Sequence, residues 1–114
     1  MARISRILDL SPERTLWNVS SGKNRNGVRR VGNWWREDRA YINADDSVTL
    51  IVTIGHYSTP MLSLGYVRDA WCVLDYWLGR GSVSDQNGVN TILRDIGSSL
   101  YYSRRGGAHY VEPF

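Results

Sequence analysis

The clearest secondary-structure pattern in the sequence lies in VTLIVTIGHYSTPMLSLGYVRDAWCVLDYWL, residues 48–78. Its apolar side chains alternate with the period of two that is typical of β-strands, and two short turn segments interrupt the alternation. Strands are therefore predicted at Val48–Ile54, Met61–Tyr66 and Trp71–Leu78. Because the connections between them are short, neighbouring strands are expected to run antiparallel, as a meander.

An amphipathic helix is predicted after the meander, over residues 82–101. The apolar residues at positions 89, 92, 93, 96 and 100 fall on one stripe of a helix with 3.6 residues per turn. Residues 28–81 are predicted to hold the antiparallel strands, with a turn at Asn43–Ser47. Residues 102–114 are predicted to form a tail with a short strand at the sheet edge.

The N-terminal part, residues 1–27, is predicted to contain helical turns followed by a mobile loop. Ser11 and Pro12 resemble an N-cap and the first residue of a helix. Ser, Gly and Asn follow in quick succession, which is typical of an exposed loop. The whole chain, residues 1–114, is thus predicted to be one α+β domain, an antiparallel β-sheet with one long amphipathic helix packed on a face.

The composition excludes several classes of protein. The 114 residues include one cysteine and two histidines, so an internal disulfide and a histidine-rich metal site are excluded. The longest apolar stretches are the length of a strand, so no membrane interaction is expected. Cys72 lies between apolar residues and is predicted to be a small core residue, not a nucleophile. No cofactor is expected.

Basic and aromatic residues are concentrated in two segments. Residues 1–39 carry nine basic side chains against four acidic ones, although the net charge of the chain is only +3. Arginines supply contacts to phosphates and aromatic rings stack on unpaired bases, but the same residue types anchor protein interfaces. The candidate binding residues are Arg25, Arg29, Arg30, Trp34, Trp35, Arg36, Arg39, Tyr102, Arg104 and Arg105.

A structural interpretation of the same residues stays open. Two adjacent tryptophans on a strand point to opposite faces, so one of them is expected in the core. Glu37 and Asp38 would pair with Arg36 and Arg39 in an ordinary surface network.

His56, Ser58 and Asp75 are the residue types from which a small hydrolase-like site is assembled. No spacing enforces such a site, and Ser58 with Thr59 before Pro60 is also typical of a hydrogen-bonded turn. The chain is therefore expected not to be an enzyme.

The order of motifs from His56 to Leu93 resembles a small uncharacterised bacteriophage domain of the actinophage type. A Tyr-Ser-Thr-Pro turn at 57–60 leads into two strands, and Ser82, Val83 and Ser84 then open a helix that carries Asn87 and Asn90. The resemblance implies a phage accessory protein that acts in the cytoplasm of the bacterial host. It implies no activity and no site residues.

The leading hypothesis is a non-enzymatic phage accessory protein that binds a host macromolecule. A host or defence protein is favoured as the partner, because a net charge of +3 is modest for a dedicated nucleic-acid binder. Nucleic-acid binding through the Arg/Trp-rich face is the alternative, and a small hydrolase is the third hypothesis. An open edge strand would also allow a homodimer.

Overall fold

The computed structural model describes residues 8–22, 30–76, 83–98, 100–103 and 110–113. The helices and strands of these residues follow in the order α1 (Pro12–Ser20), β1 (Trp34–Ile42), β2 (Val48–His56), β3 (Thr59–Val67), β4 (Ala70–Tyr76), α2 (Val83–Asp95), β5 (Leu100–Ser103) and β6 (Tyr110–Pro113).

Strands β1 to β4 form a four-stranded antiparallel sheet in sequence order. Its register runs from Trp34 opposite His56 to Ile42 opposite Val48 in the first pair. The α+β class and the antiparallel meander are therefore confirmed. The predicted turn at Asn43–Ser47 is present, since the Asn43 N–H donates to the carbonyl of Ser47 at 2.7 Å.

The core lies against one face of this sheet, here called the inner face. The inner face of β2 and β3 supplies fully buried aliphatic side chains, and α2 supplies Val89, Ile92 and Leu93 to the same cluster. Burial of each such side chain stabilises the fold by about 1.5–3 kcal/mol. The sheet residues concerned are Val52, Ile54, Leu62 and Leu64.

The close contact between α2 and the sheet requires a glycine. A Cβ atom at Gly88 would lie 2.0 Å from Cζ2 of Trp34, which is the distance of a severe overlap. Gly88 lowers the intrinsic helix propensity, but here it allows the helix backbone to lie directly on the indole ring. The apolar side of α2 predicted from the sequence therefore packs on the sheet at the point where Gly88 has no side chain.

The helix predicted over residues 82–101 is shorter in the structure, where α2 contains thirteen residues, and the described residues include a second helix, α1, of nine. Gly97 has a φ of +78°, and the N–H of Ser98 donates back to the carbonyl of Leu93. This backbone geometry ends a helix. Leu100, predicted to be helical, belongs to β5.

Strand β5 is held to α2 by one asparagine. The side chain of Asn90 accepts the N–H of Tyr102 at 2.6 Å and donates to its carbonyl at 3.0 Å. Because β5 is fixed there, β6 pairs with β5 in a separate two-stranded sheet. The tail strand predicted at the edge of the main sheet is therefore misplaced.

Two further predictions within the meander are corrected. The turn between β2 and β3 consists of Tyr57 and Ser58, so that Thr59 and Pro60 already belong to β3. Cys72 is exposed, because the half-buried residues of β4 are Trp71 and Val73, which alternate with it.

The N-terminal predictions are met in part. The α1 helix begins after Ser11, as predicted, whereas β1 begins at Trp34 and not at Val28. Residues 23–27 of the predicted mobile loop, and residues 28 and 29 of the predicted strand region, lie outside the described residues. In the part of the chain that the structure describes, no helix has the length and apolar character needed to cross a membrane.

Candidate interaction surface

The structure separates the ten candidate binding residues into three groups. Four lie outside the described residues: Arg25, Arg29, Arg104 and Arg105. Two are exposed: Arg30 and Arg39. Four are buried: Trp34, Trp35, Arg36 and Tyr102. The described part of the Arg/aromatic segment is therefore largely an internal feature, not a continuous exposed face.

Arg36 is completely buried and forms the centre of a polar cluster. Its Nε and Nη2 donate to the two carboxylate oxygens of Asp38 at 3.1 and 2.5 Å, a two-pronged ion pair. Its Nη1 donates to the backbone carbonyls of Leu8 and Asp9. The predicted surface pairing of Arg36 is therefore wrong, because residues 36 and 38 share the inner face of β1.

Helix α1 supplies the remaining partners of this ion pair. Thr15 Oγ1 accepts from Arg36 at 3.2 Å, and Nδ2 of Asn18 donates to Asp38 at 2.9 Å. Both α1 residues are buried. A buried charge that loses its partner is strongly destabilising, so the cluster fixes α1 on β1.

Both tryptophans of β1 are buried, on opposite faces of the strand. Trp34 stacks on His56 with ring centroids 4.3 Å apart and planes 13° from parallel. Trp35 donates from Nε1 to the carbonyl of Tyr57 at 2.6 Å and lies on Gly55, where a Cβ would be 2.0 Å from its ring. Trp34 belongs to the core cluster, as expected for one of the two, and Trp35 is buried on the other face as well.

His56 pairs with Asp85 of α2, and Asp75 is not the carboxylate at this histidine. Nδ1 of His56 lies 2.5 Å from Oδ1 of Asp85, and the histidine side chain is 4% exposed. Asp75 is exposed and accepts the N–H of Tyr76 at 2.8 Å, and Ser58 is exposed in the turn. The predicted hydrolase residues therefore do not form a triad.

The His56–Asp85 pair joins the end of β2 to the first turn of α2. Stacking on Trp34 holds the imidazole from the side, and the ring of Tyr57 lies 4.5 Å away at 51°. Among the described residues, no group of three or more His, Cys, Asp or Glu side chains is placed to hold a metal ion. The pair thus connects two elements of the fold.

Helix α1 begins with strong local signals. The side chain of Ser11 accepts the N–H of Arg14 at 3.2 Å, Pro12 occupies the first turn, and Glu13 places a negative charge at the helix N-terminus.

The polarity of α1 is the reverse of that of an ordinary surface helix. Its buried residues are the polar Thr15 and Asn18, whereas Leu16 and Trp17 on the other side are 49% and 59% exposed. A surface helix normally turns its apolar side chains toward the core. The polar cluster around Arg36 takes that inner position, so the apolar side chains of α1 face outward.

An open groove of about 370 Å³ runs beside this exposed face and is lined by Asp9, Ser11, Glu13, Arg14 and Trp17. Arg14 Nε donates to Asp9 Oδ2 at 2.8 Å, and both side chains are 48% exposed. This hydrogen bond lowers the pKa of Asp9 below its ordinary value; partial burial opposes the effect, and a hydrogen bond from Ser11 adds to it. With Asp9 neutralised by Arg14, Glu13 supplies the net negative charge of the groove.

Leu16 and Trp17 were not among the residues that the sequence singled out. The available signal was their position next to Thr15 and Asn18 in a capped helix, but sequence alone does not show which side of a short helix is buried. That choice depends on the distant residues Arg36 and Asp38.

Comparisons with protein-family models, with curated proteins and with solved structures found no match to this chain.

Proposed function

We propose that this chain is a non-enzymatic bacteriophage accessory protein that binds a protein of the bacterial host, such as a defence factor, in the host cytoplasm. The contact surface is the outward side of α1, with Leu16 and Trp17 at its centre and the neighbouring groove at its rim. The phage origin is supported by the resemblance of residues 56–93, and the surface by the reversed polarity of α1.

One observation carries this proposal: Trp17 is 59% exposed on a helix whose opposite side is fixed by buried polar contacts. A helix held in this way does not rotate to bury its indole, so the ring remains available to a partner. Tryptophan is the residue type most enriched among those that dominate binding energy at protein interfaces.

The groove specifies the chemistry of the partner. Leu16 and Trp17 offer an apolar contact, and Glu13 beside them is exposed. A matching protein segment presents an apolar side chain flanked by a basic one, so that the apolar group covers the indole and the base faces Glu13.

Protein is favoured over nucleic acid by the positions of the central candidate residues. Stacking on unpaired bases requires exposed aromatic rings, and phosphate contacts require exposed basic side chains. Trp34, Trp35 and Arg36 are all buried, which removes the centre of the Arg/Trp-rich face on which the nucleic-acid alternative depends.

The experiment is affinity capture from bacterial lysate, with and without nuclease and at low and high salt. Wild-type protein is compared with the double variant Leu16→Ala/Trp17→Ala. We expect a stoichiometric host protein that survives nuclease and high salt with the wild type, and its affinity to fall by at least about thirtyfold in the double variant.

The matched control is Tyr41→Ala, which removes an aromatic ring of similar exposure from β1. It should leave capture unchanged. Equal capture by the wild type and the double variant would refute the assignment of the α1 surface. Retention of nucleic acid alone, lost at high salt, would support the nucleic-acid alternative.

A further inference from the structure

Strand β4 is an edge strand composed almost entirely of apolar residues. Among the described strands it pairs with β3 alone. Its sequence, AWCVLDY, contains one charged residue, Asp75, and neither lysine nor proline. Leu74 and Tyr76 are 49% and 43% exposed. An edge of this composition offers backbone N–H and C=O groups to another strand.

From this edge we propose that two copies of the chain associate by antiparallel pairing of β4 with β4, which joins their sheets. In the order of the sheet, β4 lies at one edge. Only a twofold axis perpendicular to the sheet joins two such edges so that both inner faces lie on the same side of the joined sheet. Around that axis, residues 72–74 of one copy meet residues 74–72 of the other, and facing side chains point to the same face.

The strand is complementary to itself in this arrangement. With Val73 on the axis, Cys72 faces Leu74 of the partner, so apolar residues meet apolar residues. The bulge at Leu74 places Asp75 on the outer face and Tyr76 on the inner face, so the facing pairs end at Leu74. The same end of β4 comes alongside the partner's β3–β4 turn, which carries Arg68 as well as Asp69.

The side chains on the outer face extend this match. Leu74 is the extra residue of a β-bulge opposite Ser63 and Leu64, and its methyl groups lie over Gly65. Cys72 lies on the same face, with Sγ 3.5 Å from the carbonyl of Gly65. Pairing across the axis therefore places two leucines and two cysteines together, and each pair covers apolar surface that one copy leaves exposed.

The test is the mass of the full chain in solution, measured by sedimentation over a wide range of concentration. We expect the 13.0 kDa monomer to give way to a species of twice that mass as concentration rises. Cys72 is the only cysteine, so a short bifunctional thiol reagent should link two chains only where the two Cys72 residues lie near the axis.

The decisive variants place one lysine at each edge of the sheet. Leu74→Lys should abolish the dimer, and Ile42→Lys at the exposed end of β1 should leave it intact. Both sites are on the surface, and circular dichroism checks that each variant folds. Cys72→Lys is a second variant of the β4 edge, expected to behave as Leu74→Lys does.

Two results would overturn the proposal. One is a monomer at every concentration. The other is a dimer that both β4 variants retain and that the thiol reagent does not link. Because the α1 surface is not part of this edge, Leu16→Ala/Trp17→Ala should leave the dimer unchanged, so this proposal and the proposed function fail independently.

Discussion

The two outer strands of the main sheet are built differently. Strand β1 carries four consecutive charged residues, Arg36–Arg39, two of them buried in an ion pair that also binds α1. Strand β4 carries one charged residue and has no buried polar cluster among its described contacts. The β1 side is therefore specified by polar contacts that tolerate little change, whereas the β4 side depends on adaptable apolar packing.

One short chain thus builds the two edges of a single sheet from different residue types. Charged residues along an edge discourage pairing with another chain, and an apolar edge without them invites it. Substitutions at the β1 side should therefore lower the stability of the fold more than matched substitutions at the β4 side.

The largest effect is expected for Asp38→Ala. The substitution leaves the Arg36 guanidinium buried without its carboxylate, which costs about 3–5 kcal/mol. Urea unfolding measures the loss. The control is Glu37→Ala on the same strand, which breaks only the exposed 3.4 Å contact with Arg39 and should cost less than about 1 kcal/mol. Equal losses in the two variants would contradict the structural role of the buried pair.

The second prediction concerns the loss of stability when alanine replaces each of two glycines, one near each edge of the sheet. An alanine Cβ at Gly55 would lie 2.0 Å from the buried ring of Trp35, whereas at Gly65 it would lie 2.9 Å from a terminal methyl of the exposed Leu74. A rigid indole cannot move aside, so Gly55→Ala should cost about 1–3 kcal/mol. Gly65→Ala should cost less than about 1 kcal/mol, because Leu74 changes rotamer.

Thermal or urea unfolding of both glycine variants measures this difference. If Gly65→Ala proves as destabilising as Gly55→Ala, the β4 side is packed as rigidly as the β1 side and the comparison fails.

A smaller effect is expected at the N-terminus of α1, the helix bound to β1. Ser11→Ala removes the side chain that accepts the Arg14 N–H, which should lower the free energy of unfolding by about 1 kcal/mol. The exposed Ser20 at the other end of α1 is the control, and Ser20→Ala should change stability by less than about 0.5 kcal/mol. Hydrogen exchange should show faster exchange in α1 for Ser11→Ala alone.

The smallest effect concerns the pH dependence of the Asp9–Arg14 pair. The hydrogen bond from Arg14 lowers the pKa of Asp9 in the folded protein below its ordinary value of 3.8. The ionised form therefore stabilises the fold above that pH, and this contribution is lost as the pH falls through the lower, folded-state pKa. The pair is half-exposed, so Arg14→Ala should cost under about 1 kcal/mol near neutral pH.

Unfolding of wild type and Arg14→Ala at several pH values checks the sign. The difference in stability should shrink on acidification below about pH 4. A difference that stays constant, or grows, in acid would contradict the assignment.

Much of the strand pattern was predictable because it depends on local alternation. Val52 and Ile54 point to the core as their period of two requires. The same rule failed to assign Cys72 correctly, because alternation identifies the two faces of a strand but not which one is buried. Strand β4 has apolar residues on both faces, and the core packs against the face that carries Trp71 and Val73.

The candidate surface was less predictable than the fold. The sequence singled out Trp34 and Arg36 for their residue types, and both are buried. Their burial depends on partners far along the chain: Gly88 accommodates the ring of Trp34, and Thr15 and Asn18 bind the Arg36–Asp38 pair. A rule based on residue type alone has no access to such long-range pairing.

By itself the sequence determined the local elements: the α1 cap at Ser11, the turn at Asn43–Ser47 and the antiparallel meander. Propensity, capping and period are properties of neighbouring residues, and these elements follow from them. Which polar residues are buried and which apolar ones remain exposed, as for Arg36 and Trp17, depends on how the helices pack on the sheet. Burial depends on contacts between residues distant in the chain, and those contacts exist only after the sheet and helices have packed.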